Sequence, residues 1–258
     1  MKRRQLIRYA GASLTTAIAT TLISSRQSYQ AQDTSESVTI QYLGHTCFLF
    51  TGNGLKVLVN PYASAGCTAG YSLPNVEPDL VLVSSFLLDE GAVEKIKGNP
   101  KVITQAGDHQ FGGIKFQGVA ISHDREGGKR FGNNIAWRWN QGGIDILHLG
   151  GAAAPITTEE KILLSGPDVL LIPVGGGVKA YNPQEAKQAV DTLKPIMVIP
   201  TQYRTAAAKE DSCDLVSVDE FLALVQGREI KQVGSDRISI KPTDLPTDRK
   251  LVRVLNYS

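Results

Sequence analysis

Histidine is scarce in this chain: four residues, at 45, 109, 123 and 148, among 258. The stretch from Pro78 to Val93 is a run of buried-strand residues ending in a turn, the place where α/β folds usually put their chemistry. It holds no histidine, and between the end of the strand and Gly91 its only carboxylates are Asp89 and Glu90. Strong charge is missing as well. A formal charge of +2 and a pI near 8.4 give no basis for a nucleic-acid partner. No long hydrophobic run is present either. The apolar stretch Tyr9 to Ser25 is diluted with Thr and Ser and falls below the ~20 residues a membrane span needs. Gly175-Gly176-Gly177 lacks a following Lys-Ser/Thr, so it reads as a strand-end turn and not as a nucleotide loop.

What is present begins with Lys2-Arg3-Arg4-Gln5-Leu6-Ile7-Arg8, a basic start leading into that mildly apolar stretch. This layout is a signal peptide of the twin-arginine form, with Gln32 to Glu36 as a polar linker. The expectation is export to the periplasm or a thylakoid lumen, with membrane contact only through an uncleaved N-terminal segment. The expected organisation is a signal and linker over 1–36, one domain over 37–245 and a C-terminal tail over 246–258. Cys47 sits in an apolar run and reads as core. Cys67 and Cys213 sit in polar loops, and in an oxidising compartment they form a candidate disulfide.

From Val38 the pattern is one of strands. Val38 to Leu43 alternates, Gly52-Asn53-Gly54 makes a hairpin turn, and Leu55 to Val59 returns. A long Gly/Ala/Ser loop follows from Asn60 to Pro78 and is expected to fold over a site. Leu80–Val83, a short helix over Ala92–Ile96 and Lys101–Thr104 resemble βαβ packing. A second strand group runs through Ile114, Ile121, Ile135 and Ile146, then helices from Thr157, Asn182 and Val218 alternate with strands at Val169 and Ile196. Trp137 and Trp139, two apart on a strand, are expected on opposite sides, with at most one in the core. Arg125, Lys129 and Arg130 near Gly127-Gly128 read as a solvated turn, the alternative being a small anion-binding loop. The order of elements suggests two sheets packed face to face with helices outside, a four-layer αββα sandwich.

The segments Gln41-Tyr42-Leu43-Gly44-His45-Thr46, Val59-Asn60-Pro61-Tyr62, Leu147-His148-Leu149-Gly150, Leu171 to Gly176 and Val198 to Tyr203 resemble, in order, the metallo-β-lactamase fold. The nearest branch resembles the metal-dependent hydrolases that include the ascorbate-phosphate lactonase. That resemblance implies two metals, zinc or manganese, on a His-x-His-x-Asp-His loop, a further His, a bridging Asp and a final His. Carried over by position, the loop falls on Ser85, Leu87, Asp89 and Glu90. The further His is His123, the bridging Asp is Gly151 and the final His is Gln202.

Leucine cannot coordinate, glycine has no side chain, and a glutamine amide is a weak ligand for a transition metal. The expectation is therefore a non-catalytic binding or accessory protein, a pseudoenzyme without a cofactor. Its partner would be a small molecule or a protein. The alternative is a hydrolase of lactones, esters or phosphodiesters holding one zinc or manganese ion on Asp89, Glu90 and His123, with Asp89 and His123 catalytic. The expected pocket comprises His45, Ser85, Leu87, Glu90, His148, Gly151, Gln202 and Tyr203.

Overall fold

Val38 to Gly44 buries every second residue and leaves the others half-buried, as a strand with one face on a core must. This is β1 in a computed structural model that describes residues 36–257. The twin-arginine segment lies outside the described residues, as does its linker up to 35. The strands that follow are β2 (Cys47–Gly52), β3 (Leu55–Val59), β4 (Leu80–Leu82), β5 (Lys101–Ile103), β6 (Gly107–Phe111), β7 (Ile114–Ser122), β8 (Asn133–Gln141) and β9 (Ile144–His148). Then come α1 (Thr158–Leu164), β10 (Val169–Pro173), α2 (Pro183–Leu193), β11 (Met197–Thr201), α3 (Val218–Leu224), β12 (Glu229–Gln232), β13 (Arg237–Ile240) and β14 (Leu251–Val254).

Two mixed sheets result. The smaller runs β13-β1-β2-β3-β4-β5, the larger β12-β14-β11-β10-β9-β8-β7-β6. The β2–β3 hairpin turns at Asn53 and Gly54, both at positive φ, which matches the twist of its strands. Phe48, Phe50 and Leu82 of one sheet meet Phe116, Trp137, Trp139 and Ile199 of the other in the central core. Both tryptophans are buried there, so the expectation of opposite sides fails. Residues two apart on a strand share a face, and Arg138 between them points the other way, to Asp145.

The helices explain the outer layers. α1 and α2 each begin with a capping box, Thr157 with Glu160 and Asn182 with Glu185. α2 buries Ala186, Ala189, Val190 and Leu193 on the larger sheet, and Leu164 of α1 and Phe221 of α3 join the same cluster. All three helices therefore cover the larger sheet. Over the smaller sheet the outer layer is the long loop after Asn60, whose Tyr62 and Tyr71 pack on Cys47, Leu58 and Val81. The fold is the αββα sandwich with one helical layer reduced to loop.

Two boundaries differ from expectation. Ala92–Ile96 forms only a single 3₁₀ turn, Val93–Lys95, because Ala92 offers no side-chain cap and Gly98 and Pro100 follow at once. The presumed tail over 246–258 is structural. β14 lies between β11 and β12 with Leu251, Val252 and Val254 buried, so the domain continues through it. Among the described residues no helix is long and apolar enough to cross a membrane.

Candidate functional site

The carboxyl ends of β3, β4, β9, β10 and β11 point to one edge of the sandwich, where open sheets leave a crevice. The backbone there is strained. His45, Asn60 and Gln202 hold positive φ values of 55°, 52° and 49°, in a region most side chains avoid. Gln202 N–H donates to His45 O at 3.0 Å, and Ser84 N–H donates to Asn60 Oδ1 at 2.9 Å, which holds the turns in place.

After β4 the chain folds back so that Glu90 N–H and Gly91 N–H both donate to Leu87 O. Gly91 must be glycine, since a Cβ there would stand 2.4 Å from Ser85 O. The tight turn sends the adjacent carboxylates in different directions. Glu90 goes inward, where its Oε2 accepts from Ser85 Oγ at 2.8 Å and lies 3.1 Å from His123 Nε2. Both side chains are fully buried. Burial alone would raise the Glu90 carboxyl, but the charge and hydrogen bond of His123 outweigh it and hold it below the usual range. Burial likewise pulls His123 down, and Glu90 overrides it and holds the imidazole up. The two form a buried ion pair.

Asp89 turns the other way. Its Oδ2 lies 3.3 Å from His45 Nε2, and Lys179 Nζ donates to both oxygens, 2.6 Å from Oδ1. Burial works to raise this carboxyl, yet His45 and then Lys179 hold it well below the ordinary range. Lys179 arrives on the turn after β10. Arg125 clamps that turn by donating to Gly177 O and Ala180 O, each at 3.0 Å, while its guanidinium forks onto Glu185. The loop around Arg125 offers no anion site, because Asp124 takes the backbone N–H groups of Glu126, Gly128, Arg130 and Phe131.

A pocket of about 370 Å³ opens above Asp89 and Lys179. His45 and Gln202 line it deeply, Leu87, Leu88, Val178 and Leu215 supply apolar wall, and Gly66, Cys67, Ser212 and Asp214 belong to its rim. Cys67 and Cys213 are joined in a disulfide that ties the loop after β3 to the loop after β11. Cys47 is free and buried, as expected.

Of the expected pocket residues, His45, Leu87 and Gln202 line this space. Ser85, Glu90 and Gly151 belong to the buried cluster beside it. His148 packs between the sheets: its Nδ1 accepts from Gly150 N–H at 3.0 Å and its Nε2–H donates to Thr46 O at 3.1 Å. Burial pushes this imidazole down to about 4, against the pull of the Thr46 carbonyl and of Glu90. Tyr203 turns toward the C-terminal strand, stacking near Tyr42 and donating to Leu255 O. Sequence reasoning missed Lys179, Asp214 and Leu215. Only the Gly175-Gly176-Gly177 segment, read as a strand-end turn, lay close to Lys179 in the sequence.

The expected trio Asp89, Glu90 and His123 does not converge, because the two carboxylates face opposite ways. Among the described residues no three His, Cys, Asp or Glu side chains come together to hold a metal ion. The donor positions are closed from within. Lys179 covers Asp89, and a Cβ on Gly151 would stand 2.1 Å from Glu90 Oε1 and 2.6 Å from His123 Cε1. The side chains do not fit the two-metal centre that the resemblance implies.

Comparison with known proteins places this geometry in context. Residues 39–202 match the family model of the beta-lactamase superfamily domain. A metal-dependent hydrolase of Thermococcus onnurineus is 27% identical over 225 residues, covering 76% of this chain and 100% of that protein. A second metal-dependent hydrolase, from Thermococcus kodakarensis, is 29% identical over 193 residues, covering 65% and 85%. Among solved structures, one from Thermotoga maritima, described as a Zn-dependent hydrolase of the metallo-β-lactamase superfamily, aligns with a TM-score of 0.66 and 29% identity. It covers 84% of this chain and 98% of that one. A metallo hydrolase from Ignicoccus hospitalis aligns with a TM-score of 0.56 at 19% identity, covering 86% and 96%, a likeness of fold alone.

Proposed function

This chain belongs to the metallo-β-lactamase superfamily, and from that premise we propose that it is a binding or accessory protein without metal-dependent hydrolysis. The observation that carries this reading is the space at Gly151. Where the family sets a bridging carboxylate, the buried Glu90–His123 pair already fills the volume a side chain would need. A hydrolytic centre needs open coordination positions around its ion. Here Leu87 offers no donor, Asp89 is held by a lysine, and Glu90 Oε2 and His123 Nε2 are engaged with each other. The names of the relatives favour metal-dependent hydrolysis for this chain, but these donors do not support carrying it over. The pocket bounded by His45, Lys179 and Gln202 supports binding of a small molecule.

Protein purified without chelators is expected to hold no stoichiometric zinc, manganese or iron. With metal added it should leave a panel of lactones, esters and phosphodiesters intact. One or two tightly held ions per chain, or turnover that His123→Ala abolishes, would overturn the reading.

We also propose export through the twin-arginine signal to the periplasm, or to a thylakoid lumen where the source has one. The Cys67–Cys213 bond supports an oxidising compartment. Cell fractionation checks this: the chain recovered only with cytosolic markers would refute it.

A further inference from the structure

We propose that the pocket above Asp89 takes a small organic ammonium with an apolar body, an inference that rests on the binding reading above. Lys179 spends its ammonium on both oxygens of Asp89, which leaves Asp214 as a carboxylate of the lining with no ion pair among the described residues. Asp214 stands exposed at the rim, beside the turn at Gly177.

Two deeper side chains carry buried polar atoms without partners. Gln202 lines the pocket at 1% exposure, and its Oε1 has no hydrogen-bond partner. His45 lines it at 2% exposure. Its Nε2 turns to Asp89 at 3.3 Å, and its Nδ1 has no hydrogen-bond partner. Buried acceptors without partners are rare in folded proteins and mark places where a polar group is to be received. Both residues sit in left-handed backbone at φ 55° and 49°, joined by the Gln202 N–H to His45 O bond, so the fold holds them there against conformational preference.

The complement of the unpaired Gln202 amide oxygen and of the Asp214 carboxylate without an ion pair is a group rich in N–H and positively charged. A carboxylate ligand would meet Asp214 and Asp89 with the one nearby lysine already engaged. The apolar walls, Leu87, Leu88, Val178 and Leu215, suit a hydrocarbon body and exclude a polyol. The volume of about 370 Å³ lies at the small end of ligand sites.

The test uses the mature disulfide-bonded protein and probes of equal chain length, titrated by calorimetry and by amide NMR: n-hexylammonium, hexyltrimethylammonium, hexanol and hexanoate. n-Hexylammonium is expected to bind tightest and to shift the amides of Leu88, Val178 and Gln202. Hexyltrimethylammonium, which carries the charge without N–H donors, should bind about tenfold more weakly. Asp214→Asn lies on the exposed rim and should keep the fold while weakening n-hexylammonium about tenfold, the weight of one charge-assisted hydrogen bond. Hexanoate or hexanol binding as well as the amine overturns the ammonium class and leaves the binding reading standing. Failure of every probe to bind also overturns the proposal. Metal-dependent turnover would instead defeat the reading on which it rests.

Discussion

Gly151 and Glu90 share one volume: Glu90 Oε1 stands where the Cβ of any other residue at 151 would have to be, 2.1 Å from it. The pair fills the volume where the resemblance places a bridging carboxylate. Glu90 is balanced by His123 and Asp89 by Lys179, so each negative charge has a cation from the chain itself. The geometry leads to four predictions.

Gly151→Ala is expected to cost about 1–3 kcal/mol, the range for overpacking a filled interior. Gly151 does not sit in left-handed backbone, so the cost is steric. Urea denaturation checks it. An unchanged midpoint would mean that Glu90 and His123 yield freely and that the bridging position is open after all.

Lys179→Met should destabilise the protein by about 1–2 kcal/mol, less than a fully buried pair because Lys179 keeps 25% and Asp89 14% exposure. Pairing it with Asp89→Asn should recover most of the loss. The Asp89 carboxyl is held low in the folded protein, so its contribution is present above the ordinary carboxylate range and lost as pH falls through the folded value. In Lys179→Met the folded carboxyl rises toward its ordinary value, so that acid loss should be smaller and complete at a higher pH. Equal losses in the single and double variants would show that the two side chains are not coupled.

Stability should peak near pH 6.5. His148 is held down to about 4, so the unfolded chain binds the extra proton between 6.5 and 4. Stability therefore falls by about 3 kcal/mol as pH drops through that window. His123 is held up by Glu90, so its contribution is complete below 6.5 and is lost as pH rises through its folded value. Denaturation across pH checks both arms. His148→Asn should flatten the acid arm alone and His123→Gln the alkaline arm alone; a flat profile in the wild type would refute both assignments.

Reducing the Cys67–Cys213 bond should lower stability by about 3–5 kcal/mol, because it closes a loop of 146 positions in the unfolded chain. Thermal melts with and without a dithiol, and of Cys67→Ser, measure this. Identical melts would mean the bond is not formed. Since the bond joins two walls of the pocket, amide shifts on reduction should include Gly66, Ser212 and Leu215.

Much of this was legible from residue order. The alternation in Val38–Leu43, the Asn53-Gly54 turn and the Thr157 and Asn182 caps are local signals. They act within a few residues, and the elements formed where those signals lie. The departures at Leu87 and Gly151 were equally plain, since a side chain without a donor cannot coordinate in any tertiary setting, and Gln202 brings only a weak amide ligand. The tail was misread because β14 is only four residues long, and its burial depends on β11 and β12 on either side.

The sequence by itself determined the sandwich and the loss of the ligand residues, because both follow from side-chain type and spacing. Only the tertiary structure decided which way Asp89 and Glu90 face. The bonds from Leu87 O to the Glu90 and Gly91 amides aim one carboxylate at His123 and the other at Lys179, 90 positions further along the chain. A contact at that separation leaves no periodic trace in the sequence. The clamp of Arg125 on the turn bearing Lys179 and the disulfide across the rim are distant in the same way, and together they shape the pocket above Asp89.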